Sequence, residues 1–108
     1  MSPASCSRGS VWFAVMPAPI GRRPVVVLTR DVAIPYLTNV TVALVTRTVR
    51  GIPSEVALGP PEGLSEECVA SADNIHTIPN AWLDRPVGVL GLIKLDELAR
   101  AVRLALDL

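Results

Sequence analysis

The sequence is poor in aromatic residues, cysteine and histidine, and each shortage excludes a class of structure or site. Only 4% of the 108 residues are aromatic while 50% are hydrophobic, so valine, leucine, isoleucine and alanine must fill the core. The cysteines, Cys6 and Cys68, show neither CxxC spacing nor neighbouring histidine pairs, and the only histidine is His76. The chain also has no P-loop and no GxGxxG motif. We therefore expect neither a metal nor a cofactor.

Long apolar runs are absent as well. No stretch approaches the ~20 residues that a membrane-spanning helix needs. The first residues do not show the positively charged segment followed by an apolar segment that is typical of a signal peptide, so none is predicted. We therefore expect a cytoplasmic protein. In that compartment the two cysteines are expected to be free thiols. We expect a single domain over residues 1–108, of which residues 1–8 form a flexible tail.

Prolines and glycines are abundant, ten and seven respectively, and they divide the chain into short apolar segments. Alternating or continuous apolar patterns predict six strands: Ser10–Met16, Pro24–Thr29, Asn39–Thr48, Ser54–Leu58, Glu67–Ser71 and Val87–Leu90. Residues 72–83 are expected to be irregular, with at most a helical turn. Consecutive short strands favour an antiparallel sheet that curls into a small barrel.

The end of the chain changes period. Leu95, Leu98, Ala99, Val102 and Leu106 recur at helical spacing, which predicts a helix over residues 94–108 that packs on the sheet. Pairs of opposite charge four residues apart support this helix, at Asp96–Arg100 and Arg103–Asp107. The predicted fold class is mainly β, an antiparallel barrel with a C-terminal helix.

Charge is distributed unevenly although the formal net charge is zero. Residues 1–50 hold six arginines against Asp31 alone, whereas residues 51–108 hold four basic residues against nine acidic ones. A basic half suggests a polyanion or an acidic partner. The alternative is that the two halves interleave in space and their fields cancel.

Within the basic half, Arg23-Pro24 is the most informative dipeptide. Proline disfavours a helical conformation in the residue before it, so Arg23 should be extended at the start of a strand, with its guanidinium aimed off the strand's end. The predicted neighbouring strand ends at Thr46-Arg47-Thr48, and antiparallel pairing would place this end beside Arg23. Guanidinium and hydroxyl donors together suit a phosphate oxyanion. Spacing alone favours the interpretation that these residues, with Arg22, are ordinary surface and strand residues.

Six short stretches, in order, resemble the MazF/PemK (Kid) family of toxin endoribonucleases from toxin–antitoxin operons. They are Arg8-Gly9-Ser10-Val11-Trp12, Gly21-Arg22-Arg23-Pro24-Val25-Val26-Val27-Leu28, Val42-Ala43-Leu44-Val45-Thr46, Pro53-Ser54-Glu55-Val56, Asp73-Asn74-Ile75-His76-Thr77-Ile78 and Val87-Gly88-Val89-Leu90. Each is weak alone, but their order over nearly the whole chain is specific.

The resemblance implies an SH3-like barrel, a homodimer, and cleavage of single-stranded RNA without a metal to a 2′,3′-cyclic phosphate and a 5′-OH. The family's catalytic arginine falls on Arg23 and its catalytic threonine on Thr46. Arg22, Arg47 and Thr48 would bind RNA beside them. A cognate antitoxin would cover the RNA groove with a flexible, often acidic segment, as in other MazE-like partners.

Two further residues are weaker candidates. Asn74 falls where the family often has a glutamine and could read a base, or it could simply cap a turn. His76 could contact RNA or accept a proton, although a lone histidine is more often just solvated.

The segment before Arg22 departs from the family pattern. Many members have a longer loop with acidic and amide residues there, whereas this chain has only Pro19-Ile20-Gly21. Substrate choice and activity are therefore open, and two rivals remain. One is a non-hydrolytic toxin like CcdB, which shares the barrel; the other is a catalytically degenerate module that binds a protein partner.

Overall fold

The computed structural model describes residues 6–108, which form one antiparallel sheet and one α-helix. The strands are β1 (Ser10–Val15), β2 (Arg22–Val27), β3 (Asn39–Thr46), β4 (Glu55–Leu58), β5 (Cys68–Pro79) and β6 (Leu83–Val89), and the helix is α1 (Leu92–Leu106). Short 3-10 helices cover Ile34–Tyr36, Pro60–Glu62 and Asn80–Trp82. The strand order is β4-β5-β3-β2-β1-β6. The predicted combination of an antiparallel sheet and a C-terminal helix is confirmed.

Both faces of the sheet are apolar. Successive side chains of a strand point to opposite sides, so in β3 Leu44 enters one hydrophobic cluster and Val45 the other. The cluster that contains Val45 packs against α1 through Leu98, which has no exposed surface. The opposite cluster includes Trp12 and is covered by Ile34 from the connection between β2 and β3. Two apolar layers on one sheet explain how a chain with few aromatic residues encloses a core.

The two edges of the sheet meet through a contact between glycines and backbone. The turn after β4 lies against β6, the strand at the opposite edge. A Cβ on Gly63 would lie 2.3 Å from the carbonyl oxygen of Val87, and a Cβ on Gly88 would lie 2.2 Å from that of Glu62. Only residues without a side chain permit this approach, and it curls the sheet toward the predicted barrel.

Every predicted strand differs from the structure at one end or both; the second ends at Val27 rather than Thr29 and the third at Thr46 rather than Thr48. The second strand begins at Arg22 rather than Pro24, because residues 22–24 pair with β1. The fifth strand continues to Pro79, so the expectation of irregular structure over residues 72–83 is wrong for most of that segment. Its register against β3 shifts by three residues after Ser71, and this bulge interrupts the alternation on which the prediction relied. The last strand begins at Leu83 rather than Val87.

The helix begins at Leu92, two residues before the predicted start. The Asp96–Arg100 ion pair forms as predicted. Arg103 and Asp107 form no ion pair within the described residues, because Asp107 has left the helix and adopts a left-handed conformation with φ of 55°. Within residues 6–108, no helix is both long and apolar enough to cross a membrane.

The predicted flexible tail covers residues 1–8, of which residues 1–5 lie outside the described part of the chain. The remaining three residues are held in place. Cys6 packs against the cluster that contains Trp12, and the backbone N–H of Arg8 donates to Oδ1 of Asp31 at 2.7 Å. Residues 6–8 are therefore part of the folded region.

Candidate functional site

The site lies where β2 and β3 stop pairing. The last of their residue pairs joins Val25 to Leu44. Beyond that pair, β2 continues against β1 as far as Arg22, and β3 continues against β5 as far as Thr46. Continuing the register by two residues places Arg23 level with Thr46 across the gap. The sheet is thus split between the two residues that the sequence brought forward as a catalytic pair.

Pro24 gives a local reason for the split. Proline has no N–H to donate to a ladder, and the β2–β3 pairing ends at the residue after it. On its other side Pro24 lies opposite Phe13 of β1, where the sheet remains intact. Arg23 is consequently the second residue of a strand held from one side only, which fixes its backbone next to an opening.

A cleft of about 690 Å³ opens at these strand ends. Its walls come from β1, β2, β3, β6, the start of β5 and the segment between β4 and β5. They comprise Phe13, Arg22, Arg23, Pro24, Val45, Thr46, Arg47, Gly63, Leu64, Ser65, Glu66, Cys68, Arg85, Pro86 and Val87. Four arginines against one glutamate give the cleft an excess of positive charge, which suits a polyanion.

Arg23 is half-buried, and its Nε is buried without a hydrogen-bond partner among the described residues. Buried polar groups are nearly always paired, so this donor would be satisfied by a water molecule or by an acceptor that enters the cleft. No carboxylate within residues 6–108 forms an ion pair with Arg23. The predicted phosphate-binding arginine is therefore in the cleft and uncompensated.

The hydroxyl of Thr46 has a defined orientation. Its Oγ1 accepts a hydrogen bond from the backbone N–H of Thr48 at 3.1 Å. With an oxygen lone pair used in this way, the hydroxyl proton remains available to an acceptor in the cleft. Thr48 itself does not line the cleft and acts on it only through Thr46.

The other two predicted basic residues are in the cleft but already paired. Arg22 donates through Nε and Nη2 to Oδ2 of Asp84 at 3.1 and 3.0 Å. Nε of Arg47 lies 2.9 Å from Oε2 of Glu66, and both of these side chains are mostly exposed. Exposed pairs of this kind are weak, about 0–1 kcal/mol, so a phosphate can compete for either arginine.

Asn74 and His76 lie outside the cleft. Asn74 belongs to the bulge of β5, and its Nδ2 donates to Oγ of Ser71 at 3.1 Å, which fits the alternative of a local capping role. His76 pairs with Val42, four residues along β3 from Thr46. At about 3.3 Å per residue this is roughly 13 Å. The structure therefore does not bring His76 next to the Arg23–Thr46 pair.

Reasoning from the sequence missed Phe13 and Arg85. Phe13 of β1 lies directly opposite Pro24 on one side and Arg85 on the other. The guanidinium carbons of Arg22 and Arg85 lie over its ring, 4.3 and 5.1 Å from the centroid. The sequence contained one indication of Arg85, because Arg85-Pro86 repeats the dipeptide Arg23-Pro24. Nothing in the sequence shows that the two dipeptides lie on either side of the same strand, β1.

The loop before Arg22 is a tight turn. Gly21 has φ of +68°, and its carbonyl oxygen accepts from the N–H of Met16 at 3.1 Å, while the N–H of Ile20 donates to Pro17 at 3.1 Å. These bonds leave the turn close against the ends of β1 and β2. The shortened loop, predicted as the main departure from the family pattern, has no acidic or amide side chain, and none of residues 17–21 lines the cleft.

Cys68 also lines the cleft, at its floor. Its thiol donates to the carbonyl oxygen of Leu58 at 3.8 Å. Burial raises the pKa of the Cys68 thiol, and the nearby carboxylates of Glu62 and Glu66 raise it further, against an opposing effect of Arg47. A thiol with a raised pKa is a poor nucleophile near neutral pH, so Cys68 is a packing residue. Both cysteines are free thiols.

Comparison with known proteins connects this geometry to a family. Residues 7–106 match the family described as PemK-like, MazF-like toxin of type II toxin–antitoxin system. Endoribonuclease MazF3 of Mycobacterium tuberculosis is 48% identical over 86 residues, which cover 80% of this chain and 84% of that protein. The solved Mycobacterium tuberculosis toxin MazF-mt6 is similar with a TM-score of 0.85 and 42% identity, covering 92% of this chain and 97% of its own.

A further solved structure is that of an endoribonuclease in complex with its cognate antitoxin, from a mycobacterial species. It has a TM-score of 0.84 and 26% identity, covering 96% of this chain and 97% of that one. The resemblance inferred from six short sequence stretches is thus confirmed over nearly the full length. The chain belongs to the PemK-like, MazF-like toxins of type II toxin–antitoxin systems.

Proposed function

We propose that this protein is a cytoplasmic endoribonuclease toxin that cuts single-stranded RNA, without a metal ion, in the cleft between β2 and β3. The observation that carries the proposal is the position of Arg23 and Thr46 at the two strand ends that border this cleft. The name of the relative at 48% identity, an endoribonuclease, supports the same chemistry.

An enzyme that cuts RNA need not supply a nucleophile, because each nucleotide carries its own. The 2′-oxygen forms a bond to phosphorus as the bond from phosphorus to the 5′-oxygen breaks. One proton leaves the 2′-OH and one is added to the 5′-oxygen, so the step consumes no water and yields a 2′,3′-cyclic phosphate and a 5′-OH. The enzyme must align these groups and stabilise the extra negative charge on phosphorus.

Arg23 is proposed to stabilise that charge. A guanidinium stays protonated and offers a planar fork of donors to phosphate oxygens, which excludes it as a base and suits it as an electrostatic catalyst. Its unpartnered Nε would gain an acceptor when a phosphate enters. Since it has no carboxylate partner among residues 6–108, no ion pair has to break first.

Thr46 is proposed to hold the 2′-OH or a phosphate oxygen through its hydroxyl proton. The N–H of Thr48 fixes the hydroxyl as an acceptor and so leaves its proton directed elsewhere. Arg22 and Arg47 are proposed to contact neighbouring phosphates by exchanging their carboxylate partners for phosphate oxygens. Because Asn74 and His76 lie outside the cleft, they would contact RNA only at nucleotides farther from the cut site.

The proposed partners follow from the family and the charge. A cognate antitoxin would place a flexible, acidic segment over the arginine-lined cleft and exclude RNA from it. The mycobacterial endoribonuclease solved in complex with its cognate antitoxin supports a partner of this kind. The active form is proposed to be a homodimer, and free toxin is proposed to arrest growth by cutting cellular RNA.

The proposal is tested by incubating purified protein with cellular RNA in EDTA and sequencing the fragment ends. The wild type should produce fragments at a short sequence, whereas Arg23→Ala should produce none while its circular dichroism and melting temperature stay unchanged. Thr46→Val, which keeps the shape and removes the hydroxyl, should be slowed about 10²–10³-fold, and Thr46→Ser should retain most activity. Arg103→Ala, on the exposed part of α1, is the matched control and should cut normally.

Each other outcome rejects part of the proposal. Fragments from Arg23→Ala at the wild-type rate would remove Arg23 from catalysis. Cleavage that stops in EDTA and returns with a divalent ion would reject metal independence. RNA left intact by the wild type would favour a toxin that acts by binding a protein, as in CcdB, or a catalytically degenerate module.

A further inference from the structure

We propose that Arg85, held against Phe13, binds a second RNA phosphate near the one that Arg23 contacts, and so strengthens binding of the strand in the cleft. The inference rests on the proposed function, because it assigns a second subsite to the same cleft. It concerns residues that neither the sequence motifs nor the family resemblance brought forward.

The first argument is charge. Two of the four cleft arginines, Arg22 and Arg47, have carboxylate partners. Arg23 and Arg85 form no ion pair with any residue of the described chain, 6–108. The cleft therefore presents two uncompensated guanidinium groups, and a nucleic-acid strand carries a phosphate on every nucleotide.

The second argument is placement. Arg85 stands on β6 and Arg23 on β2, with β1 between them. Two inter-strand spacings separate their main chains by roughly 10 Å. Arg85 shares the sheet face of Phe13 and Pro24, whereas Arg23, the residue before Pro24, leaves its strand on the other face, beside the gap where β2 and β3 separate. Both residues line the one cleft.

The third argument is that Arg85 is held in place before RNA arrives. Its guanidinium carbon lies 5.1 Å from the centroid of Phe13, a cation–π contact worth about 0.5–1 kcal/mol at an exposed site. Pro86 removes backbone freedom directly after it. A side chain that is already ordered loses less entropy when it binds a phosphate, so the contact contributes more affinity.

The fourth argument concerns Asp84, the residue before Arg85. Ala14 pairs with Leu83 and Phe13 with Arg85, so Asp84 is an extra residue in β6, a β-bulge. The bulge directs the Asp84 carboxylate to Arg22, which also lies over Phe13. Asp84 thus compensates the charge of Arg22, whereas Arg85 has no carboxylate partner among residues 6–108.

The experiment measures binding, so that it does not depend on catalysis. The probe is a single-stranded oligonucleotide of the cleaved sequence with a 2′-O-methyl group at the cut site, which removes the nucleophile. Arg85→Met should weaken binding about tenfold and lower the slope of log Kd against log salt by about 0.7, the loss of one single-strand phosphate contact. Arg85→Lys should restore the slope, because it keeps the charge. Arg103→Met is the control and should match the wild type.

A second set of probes locates the phosphate. A neutral methylphosphonate replaces one linkage at a time over three positions on each side of the cut. At one position it should weaken wild-type binding about tenfold and leave Arg85→Met unaffected, since the contact is already lost. With uncleaved RNA as substrate, Arg85→Met should raise KM and leave kcat nearly unchanged.

The outcomes separate the two proposals. If the wild type cuts RNA but Arg85→Met keeps the wild-type salt slope, or no methylphosphonate position distinguishes the two proteins, the second subsite is refuted and the proposed function stands. If Arg85→Lys behaves like Arg85→Met, a charge contact is refuted as well. If the wild type neither cuts nor binds any RNA, the proposed function itself fails.

Discussion

Replacing Gly63 by alanine tests the contact that closes the sheet and forms one wall of the cleft. Gly63 has φ of +90°, and a Cβ there would lie 2.3 Å from the carbonyl oxygen and 3.0 Å from the carbonyl carbon of Val87. Both atoms belong to the backbone of β6, so no side-chain rotation can relieve the overlap. Gly51 provides a matched control: its φ is +71°, but a Cβ there would meet nothing within 4 Å.

The magnitudes follow from these two environments. For Gly51→Ala, the left-handed conformation costs about 1–2 kcal/mol, and the reduced entropy of the unfolded chain offsets roughly 0.4–1 kcal/mol of this. Gly63→Ala carries the same terms plus about 1–3 kcal/mol for forcing atoms into a packed contact. The free energy of unfolding should therefore fall by about 0–1.6 kcal/mol in the control and by about 1–4.6 kcal/mol in Gly63→Ala, with the overlap term of about 1–3 kcal/mol as the difference between them.

Urea denaturation at equal protein concentration measures the difference, with fluorescence of the buried Trp12 reporting unfolding. With a slope near 1.5 kcal/mol per molar urea, the midpoint of Gly63→Ala should lie about 1–2 M below that of Gly51→Ala. RNA cleavage by Gly63→Ala should also decrease at low urea, because residues 63–66 line the cleft. Equal midpoints for the two variants would refute the view that this contact closes the sheet.

Two further predictions concern charge and protonation. Asp84→Asn removes the carboxylate that competes with phosphate for Arg22, so it should change stability by less than about 1 kcal/mol and tighten RNA binding; an unchanged affinity would show that Arg22 contacts no phosphate. Burial, and after it the charge of Glu62, raise the pKa of the Cys68 thiol above its ordinary value of 9.0. The unfolded chain therefore loses this proton at a lower pH than the folded protein does. The contribution of the protonated thiol to stability is complete below pH 9.0 and is lost as the pH rises through the pKa of the folded state. Urea midpoints should thus fall more steeply above pH 9.0 for the wild type than for Cys68→Ala, and parallel curves would contradict the assignment.

Most of the sheet could be predicted from local patterns, and so could the placement of Arg23 and Thr46 at neighbouring strand ends. The alternation in residues 39–46 predicted a strand whose faces enter different clusters, and Arg23-Pro24 predicted an extended arginine near a strand start. The fifth strand was predicted too short because its three-residue bulge breaks the period of two. The subsite around Phe13 could not be predicted, since Arg22 and Arg85 are far apart in sequence and meet only because β1 lies between β2 and β6.

The sequence by itself determined the family, the strands and the residue types that suit phosphate chemistry, because these depend on local composition and on the order of short motifs. Tertiary structure alone decided which arginines are free and which are paired. Ion pairs such as Arg22–Asp84 and Arg47–Glu66 join residues from distant strands and loops. The cleft exists for the same reason: β2 and β3 separate after Val25, and the turn at Gly63 meets β6 from the opposite edge of the sheet. Both arrangements depend on pairing register and backbone packing between segments that the linear pattern does not connect.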